Sequence, residues 1–187
     1  MACVPNILVP TMVQNFVKQS AYGQIATVSD KNILSVRTVH LHFLPENDRF
    51  AFNTHIQSQK AQDVLSKGHL SGCYWNETEK IQFRFRAKAN LISNSTNDTA
   101  LLETLWLTMR EETRIAYTLD HLDLPYDLSS NELPGVETRP PNHSVILFAP
   151  YYWDIHTFDP KGYRFGKRII YELEGEQWQT EPTTLIY

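Results

Sequence analysis

Two places in this chain carry residue types that could together hold an anion. The run Asn53-Thr54-His55-Ile56-Gln57-Ser58-Gln59-Lys60 ends a strand-like stretch and opens a helical one. Ser58 is a good N-cap, and a helix N-terminus presents unpaired N–H groups and the positive end of the helix dipole. Lys60 adds a full charge one turn in, and Thr54 adds a second hydroxyl. Arg37, in the strand-like run Val36-Arg37-Thr38-Val39, could supply a planar cation that grips an anion through two donors. A phosphate fits such a set. The same residues also make an ordinary solvated helix cap, and taken alone the spacing leaves both readings open.

Other reactive side chains form no comparable set. His40 and His42 fall on one face of a strand and could ligate a metal, but no third ligand stands at suitable spacing. They are read instead as solvated or cofactor-side histidines. Cys3 and Cys73 are far apart and indicate neither a metal pair nor a disulfide framework. Asp154 and Asp159 flank a strand end, and nothing marks either as a general base. No catalytic residue and no metal site is assigned.

The elements that must position these residues follow from hydrophobic periodicity. Val9–Ser20 reads as a short amphipathic helix. Gln24–Ser29 and Ile33–Leu44 read as a hairpin around Asp30-Lys31-Asn32, followed by a strand over Arg49–Asn53. Gln57–Lys67 reads as a helix, with Ala61, Val64 and Leu65 on one side and Gly68 as its stop. His69–Trp75 and Lys80–Ile92 are the next strands. The second places Phe83, Phe85, Ala87 and Ala89 on one face and Gln82, Arg84, Arg86 and Lys88 on the other. Thr99–Arg114 reads as one helix, and Leu119–Pro141 as a long irregular segment of the kind that forms lids or interface arms. Strands are expected near 144–148, 152–158, 168–172 and 178–180. Antiparallel strands in this order predict one mainly β domain over residues 1–187, a barrel or sandwich with peripheral helices. Seventeen basic against 21 acidic residues disfavour a nucleic-acid binder. No stretch is apolar enough to span a membrane and no basic leader precedes the first apolar run, so a cytoplasmic location is expected.

In this order the motifs resemble the pyridoxamine 5′-phosphate oxidase family of FMN-binding split barrels, over most of the chain. Arg37-Thr38-Val39 looks like the family's Arg-x-Val strand. Thr54 to Lys60 is similar to its Thr-Asn-x-x-Ser-Arg-Lys turn. Gln82-Phe83-Arg84-Phe85-Arg86-Ala87 looks like the strand that carries its flavin-contacting glutamine. Arg164-Phe-Gly-Lys-Arg168, then Tyr171 and Trp178, is similar to its closing Arg-x-His-x-Arg stretch. The wording is that of a divergent, oxidase-like branch.

The resemblance implies an antiparallel split β-barrel with FMN as cofactor. Arg37, Ser58 and Lys60 would serve the phosphate region, with Thr54 beside them, and Thr38, Val39, Asn53 and Gln59 would be further cofactor-binding residues. Gln82, Phe158 and Arg168 would lie at the flavin ring. His42, Trp106, Arg110 and Arg164 would face a small anionic substrate. It also implies a homodimer with FMN at the subunit interface. The cofactor half is the better kept: His42 stands where the oxidases have Lys, Gln59 replaces an Arg, and Gly166 replaces a substrate-side His. The implied activity is that of an FMN-dependent oxidoreductase. The alternatives are a protein that binds flavin, heme or deazaflavin without turnover, and an NAD(P)H-dependent flavin reductase.

Overall fold

The computed structural model describes residues 3–18, 20–96, 98–118, 136–159 and 166–184. Eight strands form among them. They are β1 (Ala21–Val28), β2 (Leu34–Leu44), β3 (Arg49–His55), β4 (His69–Asn76), β5 (Ile81–Ile92), β6 (His143–Thr157), β7 (Lys167–Glu174) and β8 (Gln177–Thr184). The helices are α1 (Val9–Phe16), α2 (Gln59–Lys67), α3 (Thr99–Leu107) and α4 (Glu111–Ile115). The sheet runs β3-β2-β1-β4-β5-β6-β7-β8, and a further pairing of β3 with β6 closes the first six strands into an antiparallel barrel. Closure leaves those strands without free edges. The β7–β8 hairpin extends the sheet beyond it.

Alternation builds the barrel wall. Along β5 every second residue from Phe83 to Leu91 is buried, while Arg84, Arg86, Lys88 and Asn90 are exposed. Inside, Phe50, Phe52, Phe83 and Phe148 pack with Trp153 and Leu41, all essentially inaccessible. Each such side chain contributes roughly 1.5–3 kcal/mol by leaving water. Met12 and Phe16 of α1 plug one end, with the Phe16 ring 5.3 Å from Phe50 and 5.5 Å from Phe83. Gly72 is required by space, since a Cβ there would lie 2.3 Å from the Phe85 ring.

Three expectations change. The two strands expected over 144–158 are one, β6, and Pro150 does not break it. The register slips there, pairing Arg86 with Tyr152 but Ala87 with Pro150. That bulge accommodates a residue without an N–H and bends the strand, so its first half pairs with β3 and its second with β7. The helix expected over Thr99–Arg114 is two. The Thr108 hydroxyl donates to the Leu105 carbonyl at 2.7 Å, and Arg110 is extended (φ −68°, ψ 151°) before α4 restarts with Glu111 and Glu112 in its first turn. Acidic residues favour such a start. In α2, finally, the buried side is Ala61, Asp63 and Val64, whereas Leu65 is 59% exposed. Of the irregular segment expected over Leu119–Pro141, residues 119–135 lie outside the described ones.

Candidate functional site

The turn from β3 into α2 is held by hydroxyls. Ser58 is extended (φ −64°, ψ 147°) and its Oγ accepts from the Ala61 N–H. The same Oγ lies 2.8 Å from Thr54 Oγ1, and both residues are buried. These two expected phosphate-side hydroxyls therefore bond each other and shape the turn. Gly68 ends α2 at φ 69°, the left-handed conformation that glycine adopts without strain.

Behind the turn lies a polar relay that the motifs did not reveal. Arg37 Nη1 donates to Thr27 Oγ1 at 2.7 Å and to the Ser35 carbonyl at 3.0 Å. Thr27 Oγ1 donates in turn to Asp63 Oδ2 at 2.5 Å, and Gln59 Nε2 donates to Asp63 Oδ1 at 2.8 Å. Thr27 and Asp63 are almost fully buried. Gln59, which lacks the charge of the family's Arg, thus serves a structural bond. Burial pulls the Arg37 pKa down while Asp63 opposes that shift. Lys60 is pulled down by burial and then by the Arg37 charge. Among the described residues no carboxylate forms an ion pair with Lys60. Two partly desolvated cations that repel one another would gain from an anion between them.

Lys60 opens on a cavity of about 410 Å³. Thr38, Val39, Asn53 and Arg110 share its lining, so the fold brings together five of the residues singled out in the sequence. Its remaining walls include Tyr22, His40, Thr113 and Tyr117, and among the described residues no carboxylate. Asn53 is oriented by His143 Nε2, 2.9 Å from its Oδ1, and by the Leu105 carbonyl, which its amide reaches at 3.4 Å. Tyr22 stacks on His40 at 4.9 Å, and His40 meets His42 edge to face at 4.3 Å. Burial, reinforced by His40, pushes the His42 pKa down to about 4, so the ring is neutral near pH 7. It brings no charge to the place where the family has Lys. Trp106 is buried, with its ring 5.1 Å from His143 and the Arg114 guanidinium 5.4 Å above it. The break after α3 thus separates Trp106 from the exposed Arg110, and the two do not form one helical pair.

The residues expected at the flavin ring lie elsewhere. Gln82, His156 and Arg168 face one another in register across β5, β6 and β7. Phe158 follows β6, with its ring 4.0 Å from His156 and 5.2 Å from Trp75. Arg168 grips Asp154 with two parallel bonds, Nε to Oδ1 and Nη2 to Oδ2, each 2.8 Å. Arg84 Nη2 reaches the same Oδ2 at 2.6 Å. These three residues line a second cavity, of about 460 Å³, on the outer face of the barrel. Gly166 is described and buried, whereas Arg164 lies outside the described residues. No group of three or more His, Cys, Asp or Glu suited to a metal ion occurs among the described residues. Both cysteines are free thiols.

Sequence reasoning missed Thr27, Asp63 and His143, and passed over Asp154 and His156 as ligand-side groups. Only Asp63 left a trace, as a carboxylate one residue before Val64 on the face of α2 that turns inward.

Comparison with known proteins supports the resemblance. Residues 6–93, just under half of the chain, match the family model described as pyridoxamine 5′-phosphate oxidase, FMN-binding domain. That stretch contains Arg37, Thr54, Ser58, Lys60 and Gln82. Among solved structures, a pyridoxamine 5′-phosphate oxidase-related, FMN-binding protein of Nostoc punctiforme superposes with a TM-score of 0.80 at 19% identity, covering 98% of this chain and 99% of that one. PhzG of Burkholderia lata, solved with tetrahydrophenazine-1-carboxylic acid, gives 0.72 at 21%, covering 96% and 89%. A putative pyridoxamine 5′-phosphate oxidase of Listeria innocua gives 0.53 at 11%, covering 79% and 94%. The fold is therefore the expected antiparallel split barrel. No curated protein sequence matches.

Proposed function

We propose that this chain is an FMN-binding flavoprotein that works as an oxidoreductase on a small anionic substrate. One observation carries the reading. Lys60 stands at a cavity lined by no carboxylate among the described residues, and Arg37, outside that lining, is close enough for its charge to lower the Lys60 pKa. They lie within the stretch that matches the FMN-binding family model. A flavin phosphate suits that place, and the relay through Thr27 and Asp63 would hold Arg37 ready for it.

When bound, FMN supplies the hydride-accepting chemistry, and the protein's part is binding, orientation and electrostatics. Lys60 and Arg37 would neutralise the phosphate. Thr38 and Asn53 would line the passage beside them, and Gln82 and Arg168 would serve the ring, Arg168 as a positive charge that favours the reduced, anionic flavin. Arg110, exposed on the cavity, would meet an anionic substrate. Lys60, Thr38, Val39 and Asn53 line one cavity and Arg168 another. A two-fold dimer would let one subunit's phosphate side meet its partner's ring side, and an isologous interface makes two equal sites. Tyr22, Leu34 and Val36 leave an apolar strip on the outer barrel face, each at least 60% exposed, and a second copy would cover it.

A narrower reading follows from the substrate half. His42 is neutral and Gly166 offers no imidazole, which favours a protein that binds FMN but turns over pyridoxamine 5′-phosphate poorly. The visible spectrum of the purified protein tests the cofactor directly. Flavin bands support the proposal, and a Soret band would replace FMN by heme.

A further inference from the structure

We propose that Asp154 is a positioning residue that holds Arg168 in place and sets the charge felt at the flavin ring. The inference rests on the reading that Arg168 serves that ring. Asp154 is 4% exposed and stands on β6 between Arg84 of β5 and Arg168 of β7. In the ladder Arg168 lies opposite His156, not opposite Asp154. Its guanidinium nevertheless leaves its own row and reaches diagonally to the carboxylate, where two parallel bonds of 2.8 Å fix its plane. Arg84 lies directly opposite Asp154 and takes the remaining approach to Oδ2. Both carboxylate oxygens are thus spent on cations.

A buried carboxylate in this position does two things. It lets two guanidinium groups stand side by side, which their mutual repulsion would otherwise oppose. It also offsets positive charge at the place from which Arg168 would act on the reduced flavin. The three side chains then form one charge balance, in which Arg84 and Arg168 raise the potential of a nearby flavin and Asp154 lowers it. A strand staple alone would have no such signature.

The test is the two-electron midpoint potential of FMN on the full-length, FMN-loaded protein, measured by dye equilibration for four variants against the parent. Asp154→Asn keeps the shape and removes the negative charge, and is expected to shift the potential upward. Arg84→Gln removes one cation from the same carboxylate, and is expected to shift it downward. Opposite signs from two neighbouring substitutions are what a charge balance gives. No shift in either variant, or shifts of the same sign, would overturn the role of Asp154. Arg168→Gln and Arg168→Lys report on the underlying reading. A downward shift with Arg168→Gln and a smaller one with Arg168→Lys support a ring-side Arg168. No shift in either would overturn that reading, and the proposal with it. Should Asp154→Asn fail to fold, Asp154→Thr, neutral and suited to a strand, takes its place with the same expected upward shift, and no shift or a downward one overturns the role of Asp154.

Discussion

Replacing Asp63 by Ala should cost both stability and cofactor affinity. The carboxylate accepts from Thr27 Oγ1 and Gln59 Nε2 and is the acidic end of the relay from Arg37. Gln59 is exposed, so water replaces its lost bond at little cost. Thr27 is 1% exposed, and its hydroxyl, still accepting from Arg37, would lose the acceptor of its proton, which costs about 1–3 kcal/mol. Arg37 loses the one charge that opposes its desolvation. Breaking a buried charged network by removing one partner costs about 3–5 kcal/mol, and the half-exposed surroundings of Arg37 place this variant at the lower end. Urea unfolding of parent and variant gives the number, and Thr27→Val combined with Asp63→Ala closes a double-mutant cycle. The two substitutions should be clearly sub-additive, since each removes the same bond. With Arg37 no longer held, FMN should also bind more weakly. A loss below about 1 kcal/mol, strict additivity and unchanged FMN affinity would together refute the relay.

Three further outcomes are expected. Burial holds His42 and His143 near pKa 4 when folded, against about 6.5 when unfolded, so the unfolded chain binds more protons between those values. Stability should be full above about pH 6.5 and fall as the pH drops toward 4. Urea midpoints at pH 7 and pH 5 check this, and His42→Gln/His143→Gln should flatten the difference. Light scattering on the FMN-loaded protein should give a dimer of the 21.7 kDa chain, and a monomer with FMN fully bound would contradict the shared site. In an oxygen-coupled assay pyridoxamine and pyridoxine phosphates should be turned over poorly or not at all. Turnover of about 1 s⁻¹ or faster would show that His42 and Gly166 are compensated.

What the sequence made legible is what one strand or one turn decides. The two-faced pattern of β5 and the Ser58 cap depend on local periodicity and local hydrogen bonding, and both formed where expected. The choice between barrel and sandwich followed because alternating strands in hairpin order have few ways to bury one face, and the resemblance pointed to the barrel. Pro150 misled because a bulge, which depends on the partner strand, can absorb it. The break between α3 and α4 rests on one Thr108 hydroxyl that competes with the helix. Thr27, the buried partner of Asp63, lies 36 residues away on β1, and the partners of Asp154 lie on β5 and β7, so only the tertiary fold joins them. The family resemblance offered what periodicity could not, an expectation of which polar residues face a ligand. It gave no sign that Thr54 and Ser58 spend their hydroxyls on each other.

The central claim is that Lys60 and Arg37 hold the phosphate of FMN. Titration of apoprotein with FMN, followed by flavin fluorescence, tests it most directly. Lys60→Ala should weaken FMN by about 1.5–3 kcal/mol, the scale of a charge-assisted hydrogen bond, and should leave riboflavin, which lacks the phosphate, nearly unaffected. Arg37→Ala/Lys60→Ala should weaken FMN further. Unchanged FMN affinity in the double variant would contradict the account.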